Sequence, residues 1–350
     1  MQSACSQYGA RHVVSREDVY KCALSLYTND RDAILDEYPF RIKFKTELAV
    51  DSGGVSRDFC SAFWESAYEK AFDGNTLLTP ALHSGINMDS LAVIGTILSH
   101  MYLAVGFIPV RIAFPSLACI LFHPNISIPS EFMVEAFVDS LSTHERDSMR
   151  SAVNICNEGG HFSDQVRQQL AAILSRYGGR SIPSANNLKS SILLAAKYEF
   201  VIKPCAALNM IHSGIPSKHS PFWEKLSIYE FHSLYLALTA SPEKVISLLD
   251  DSLADDVNKE RVFRYLCQFV GNMTNDELRS FLRYVTGASV CPPATMKVTF
   301  NSLTGIARRP ISHTCACQLE LSVDYSTYLE FVVEFRTVLH TSESWFMDAM

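Results

Sequence analysis

The chain has 350 residues, 48% of them hydrophobic, with 37 acidic against 30 basic side chains and a formal net charge of −7. That length exceeds one ordinary compact core and predicts two or three subdomains, and the apolar fraction excludes a disordered polymer. The acidic balance, with Arg308-Arg309 the nearest thing to a basic run, argues against a nucleic-acid partner, because phosphate binding needs a basic stripe.

The chain order begins with residues 1–13, read as a flexible lead-in without the basic and apolar parts of a secretory signal. Ser15-Arg16-Glu17-Asp18, followed by Val19, Cys22, Ala23 and Leu26, predicts a helix capped near Ser15 with acids at its positive end. Phe40-Arg41-Ile42-Lys43-Phe44-Lys45 alternates like a half-buried strand. It runs into Asp51-Ser52-Gly53-Gly54-Val55-Ser56-Arg57-Asp58-Phe59, where paired glycines permit a positive-φ turn and Ser56 is the expected cap of a helix burying Phe59, Phe63, Trp64 and Ala67. With neither a P-loop nor a dinucleotide fingerprint, this turn reads as a structural corner.

Residues 91–108 predict a helix apolar nearly all round, about 27 Å long. Gly95, Ser99, His100 and Pro109 favour a buried core helix over a bilayer span, with His100 a satisfied core or edge histidine, and no run of about 18 uninterrupted apolar residues predicts a membrane crossing. A more polar region, 125–187, carries helical pieces at 131–141, 143–155 and 163–177, separated by glycine-rich breaks. Residues 187–202 return to an apolar helix ending before Pro204. A seam falls at Ser241-Pro242, with Pro242 in a first helical turn. Helices near 243–250, 257–269 and 275–286 follow, then a strand over Met296–Phe300. The last helix opens on the capping box Thr327-x-x-Glu330 and buries Phe331, Val332, Phe335, Val338 and Leu339.

Of ten cysteines, Cys315 has the most suggestive surroundings: Pro310 leads into a short polar run, and the alternating Leu319-Glu320-Leu321 follows. A thiol at a loop-to-strand junction is open to a partner, whereas a free cysteine on its own is most often a small buried hydrophobe. Cys315-x-Cys317 has no second ligand pair, so zinc and other metals are not expected. Ten cysteines without a compact framework read as reduced thiols, and hence an intracellular protein of the cytoplasm or nucleus.

Three blocks, in order, resemble the HECT-type ubiquitin ligases: Val50–Phe59; Phe281-Leu282-Arg283-Tyr284-Val285-Thr286-Gly287-Ala288-Ser289 with Pro292-Pro293; and His313-Thr314-Cys315 with Leu319 and Leu321. Ile94-Gly95 and Lys197–Pro204 are weaker echoes, and the likeness spans about 14–350. It implies an α+β, mainly helical, bilobal fold: a large N-terminal lobe at 14–238, with 125–187 the conjugating-enzyme platform, a hinge at 239–243, and a small α/β C-terminal lobe at 244–350. It implies Cys315 as the acceptor of a ubiquitin thioester, His313 and Thr314 orienting its loop, and Phe346 and Asp348 in the tail assisting lysine attack. The implied partners are a ubiquitin-charged conjugating enzyme, ubiquitin and protein substrates, with no cofactor.

The chain departs from the family pattern after the cysteine, where Ala316 and Cys317 replace Phe and Asn, and at Ser322-Val323, where a proline is usual. These flanks speak for an alternative, a catalytically weak HECT-like scaffold that binds ubiquitin or a conjugating enzyme; the intact Cys315 speaks against it. An unrelated helical interaction protein would show no thiol reactivity at Cys315.

Overall fold

The computed structural model describes residues 12–45, 47, 51–82 and 85–341. The fold is α+β and mainly helical, with small sheets. By packing, the chain forms two compact units: one takes the residues up to 66, 101–108 and 236 onward, the other 67–100 and 109–235. This grouping by packing is a different division from the lobes expected on either side of 239–243.

The first unit opens with β1 (His12–Val14), so His12 and Val13 of the expected lead-in pair in parallel with Ile42 and Lys43 of β2 (Ile42–Phe44). Between them lie α1 (Val19–Asn29) and α2 (Arg31–Asp36). The cap of α1 is Asp18, whose carboxylate accepts from Lys21 N–H at 3.3 Å, not Ser15. An acid one residue before the first turn meets both the orphan N–H groups and the helix dipole, which Ser15 lies too far back to reach. α3 (Gly54–Ala71) buries Phe59, Phe63, Trp64 and Ala67, as its spacing predicts.

The second unit adds the β3 (Phe72–Gly74)–β4 (Leu78–Pro80) pair and α4 (Met88–Val105). By length and composition α4 is apolar enough to cross a membrane, and half of that stretch is buried against protein. A Cβ on Gly95 would fall 1.8 Å from the Ile211 carbonyl, so α4 crosses a neighbouring backbone with no side chain between them. His100 is buried and stacks on His219. Then come α5 (Phe114–Leu121), α6 (Ser130–Ser140), α7 (Thr143–Asn157), α8 (Asp164–Ser175) and α9 (Leu188–Lys197). A π turn at Tyr198–Ile202 replaces the last turn of the expected 187–202 helix. Met133, Phe137, Met149, Leu170, Leu188, Ile192 and Phe200 share one core here, so the polar 125–187 region packs its apolar face together with α9 and the π turn. α10 (Cys205–Ser213), α11 (Ser220–Lys225) and α12 (Ile228–Leu238) complete this part of the chain.

Returning to the first unit, α13 (Pro242–Ser247) gives way to β5 (Leu249–Asp250) rather than continuing to 250 as helix. α14 (Val257–Gly271), α15 (Asn275–Thr286), β6 (Met296–Asn301), β7 (Ile311–His313), β8 (Gln318–Ser322) and α16 (Tyr328–His340) follow. The sheet order is β5-β6-β8-β7, with β7 antiparallel to β8 and the other pairs parallel. Leu266, Phe269, Phe281, Leu282, Leu319, Leu321, Phe331 and Phe335 fill a core made wholly from 245–339. Each fully buried Leu or Phe contributes roughly 2–3 kcal/mol. Val332 is only partly buried, one step off the face that holds Phe331 and Phe335.

Candidate active site

The site is built on the first turn of α3. Asp51, buried, accepts from Gly53 N–H at 2.8 Å, from Ser56 N–H at 3.3 Å and from the Ser56 hydroxyl, and it also accepts from Ile42 N–H of β2 at 2.8 Å. Asp51, not Ser56, therefore caps the helix. Ser56 already lies inside the first turn, and its hydroxyl is turned toward Phe40 O and Asp51.

Against this turn sits the cysteine loop. Thr314–Ala316 form a single 3-10 turn between β7 and β8, so Cys315 is exposed at a tight bend and not on a strand face. A Cβ on Gly54 would lie 2.6 Å from Thr314 Oγ1 and 3.1 Å from both the backbone nitrogen and Sγ of Cys315. Only glycine lets the helix N-terminus approach the thiol this closely. Burial raises the Cys315 pKa, but hydrogen bonds from the Ser52 hydroxyl and the Gly54 and Ser52 backbone, with the positive charge of Arg57, outweigh it and hold the thiol below its ordinary range. A helix N-terminus favours a thiolate for the reason it favours any anion: its first N–H groups lack partners and carry partial positive charge. Burial drives the other cysteines with displaced acidity upward: Cys60, Cys156, Cys267 and Cys291, with Cys119 reaching about 12.

The face of α3 that meets this loop carries Gly54, Arg57, Asp58 and Ser61, at helical i, i+3, i+4, i+7 spacing. Arg57 Nε donates to Thr286 O and its Nη2 to Thr314 O, both at 2.7 Å, and Nη2 lies 3.8 Å from Cys317 Sγ. Asp58 is buried between Arg16 Nη1 and Arg283 Nε, each at 2.7 Å. The Ser61 hydroxyl donates to Gly287 O at 3.0 Å and accepts from Ser289 N–H at 3.0 Å. The three sequence blocks, 51–59, 281–289 and 313–317, thus meet at one place.

The other anticipated residues distribute as follows. His313 Nε2 lies 3.3 Å from Glu320 Oε2 on β8, and Glu320 also accepts from Asn301 Nδ2 at 2.8 Å. Thr314 contributes its carbonyl to Arg57 and to Cys317 N–H at 3.2 Å. Cys317 adopts φ +48, a left-handed conformation, where the family pattern has Asn. Phe346 and Asp348 lie outside the described residues. Among the described residues no group of three or more His, Cys, Asp or Glu is placed to hold a metal ion. The reading of Gly53-Gly54 as a mere corner missed its contact with Cys315, and it missed Ser52 and Arg57 altogether. The available signal was the second, polar stripe on α3, which a search for apolar periodicity passes over.

A family model described as HECT-domain (ubiquitin-transferase) matches residues 67–347. The chain belongs to the HECT family. No curated protein matches it. HECT domains in general engage conjugating enzymes and ubiquitin. In this HECT chain the matched span begins after Ser61, so the role of Gly54, Arg57, Asp58 and Ser61 rests on their packing against the matched blocks 281–289 and 313–317.

Proposed function

We propose that this chain is a ubiquitin ligase that accepts ubiquitin from a conjugating enzyme as a thioester on Cys315 and passes it to a substrate lysine. The observation that carries this reading is the Cys315 thiol: exposed, in contact with the α3 N-terminus, and with its pKa lowered while burial drives the other displaced cysteines up. The thiolate attacks the carbonyl carbon of the ubiquitin C-terminal thioester. A new C–S bond forms to Cys315, the bond to the conjugating enzyme's sulfur breaks, and that sulfur leaves as a thiolate. Exchange of one thioester for another is nearly isoenergetic, so positioning supplies most of the rate, an effect worth roughly 7–11 kcal/mol in well-oriented systems. A neutral lysine amine then attacks the Cys315 thioester, and the isopeptide bond forms as the thiolate departs with the proton going to solvent.

The 125–187 region, whose helices share a core with α9, is the proposed docking platform for the conjugating enzyme, and 239–243, from the end of α12 into the first turn of α13, the proposed hinge. His313 and Thr314 are assigned to orienting the loop; the His313–Glu320 contact and the Arg57–Thr314 bond support that assignment. Phe346 and Asp348 keep a proposed role in lysine attack. Nine described cysteines, all free thiols, support a reducing setting in the cytoplasm or nucleus.

The test is single-turnover transfer from charged conjugating enzyme, run on non-reducing gels for wild type, Cys315→Ala and Cys317→Ala. A reducible adduct lost only in Cys315→Ala is the expected result. The altered flanks Ala316 and Cys317 favour a second reading, a catalytically weak HECT-like scaffold that binds ubiquitin or a conjugating enzyme, and the absence of an adduct with every competent conjugating enzyme would leave that one standing.

A further inference from the structure

Arg57 has a bonding pattern that a helix-surface arginine does not need for solubility or for capping its own helix. Its guanidinium joins two carbonyls that are distant in sequence: Thr286 O, at the C-terminus of α15, and Thr314 O, in the turn that carries Cys315. Thr286 O belongs to the last turn of a helix, where carbonyls lack intrahelical partners and the dipole end is negative. Thr314 O already accepts from Cys317 N–H in closing the 3-10 turn, so Arg57 is its second donor. The planar fork satisfies both carbonyls at once, and a lysine ammonium has no such fixed geometry.

We propose that Arg57 is a positioning residue for the acceptor cysteine: by tying Thr314 to the end of α15 it keeps Cys315 against the bare Gly54 turn of α3. This rests on the reading of Cys315 as the acceptor. A chain of contacts runs along one face of α3. Gly54 leaves room for Sγ at the helix N-terminus, Arg57 one turn later holds the residue before the cysteine, and Ser61 another turn on holds Gly287 and Ser289. Asp58 adds Arg283 of α15 to the same seam. Without the Arg57 bonds, Thr314 O loses its tie to the end of α15, and the thiol is held less firmly against the N–H groups of the first turn. The charged and titratable groups about the loop are Arg57 on α3, Arg283 with Asp58 at the α15 contact, and His313, Glu320 and Cys317 on the loop and its strands.

The experiment measures the rate of Cys315 alkylation by iodoacetamide against pH in the full chain, with the Cys315 peptide quantified by mass spectrometry. Arg57→Gln is expected to slow alkylation at pH 7 at least about threefold and to move the pH profile upward, since the thiolate is the nucleophile. Arg57→Lys, which keeps the charge and loses the fork, is expected to recover only part of the loss. An unchanged profile in folded Arg57→Gln, or full recovery in Arg57→Lys, overturns the proposal. Should Arg57→Gln fail to fold, Arg57→Lys alone serves, and a wild-type alkylation profile there overturns the proposal. Alkylation needs neither ubiquitin nor conjugating enzyme, so its outcome is separate from that of the transfer assay. Where transfer is observed, Arg57→Gln is expected to lower the single-turnover rate at saturating conjugating enzyme while the half-saturating concentration stays the same.

Discussion

Gly287 and Gly54 meet backbone to backbone: a Cβ on Gly287 would lie 2.5 Å from the Gly54 carbonyl oxygen. Gly287 also holds φ +79 at the end of α15, with its N–H on Arg283 O at 2.8 Å. An alanine there meets two separate penalties, the left-handed backbone and the clash with a backbone atom that cannot rotate away. Gly287→Ala is expected to lose about 2–4 kcal/mol of stability, read by urea unfolding. A loss under about 1 kcal/mol would mean that the two turns part easily.

Asp58 is a buried carboxylate held by two guanidiniums, from Arg16 and Arg283. Removing its charge leaves Arg283 Nε facing a neutral amide there, while Arg16 keeps its bonds to Glu47. Asp58→Asn is expected to cost about 3–5 kcal/mol, as the loss of one partner from a buried ion pair does. In a double-mutant cycle with Arg283→Met the combined loss should be smaller than the sum, because the two side chains share one ion pair at 2.7 Å. Strict additivity would contradict the pairing.

The lowered pKa of Cys315 has a definite sign. A group whose folded pKa lies below its unfolded value contributes stability above the unfolded pKa and loses it as pH falls through the folded pKa. The thiolate fraction follows the same titration, so alkylation of Cys315 in the folded chain should persist at pH values where the chain unfolded in urea has become unreactive. Coincident folded and unfolded profiles would remove the case for an activated thiol.

Cys317 places a non-glycine side chain at φ +48. Asparagine, the residue of the family pattern at this position, tolerates that conformation better because its short polar side chain bonds the local backbone. Cys317→Asn is expected to gain about 0.5–1 kcal/mol in urea unfolding and to leave the Cys315 adduct intact. Loss of stability would instead point to the Cys317–Arg57 contact as the more valuable feature of the loop.

The family was legible from three short blocks. Helix positions followed from apolar spacing, as in α3, α15 and α16, because burial of one face is a local, periodic demand. Local pattern misjudged the caps: Asp18 and Asp51 took the roles expected of Ser15 and Ser56, since a carboxylate two to five residues before an N–H group of the first turn can reach it. Tertiary structure alone decided that the Gly53-Gly54 turn faces Cys315, that Arg57 reaches Thr286 and Thr314, and that Asp58 gathers Arg16 and Arg283. By itself the sequence determined the family and which faces are buried. The partners of α3's polar stripe were decided by the fold, because hydrogen bonds to distant backbone carbonyls leave no periodic trace in the chain that makes them.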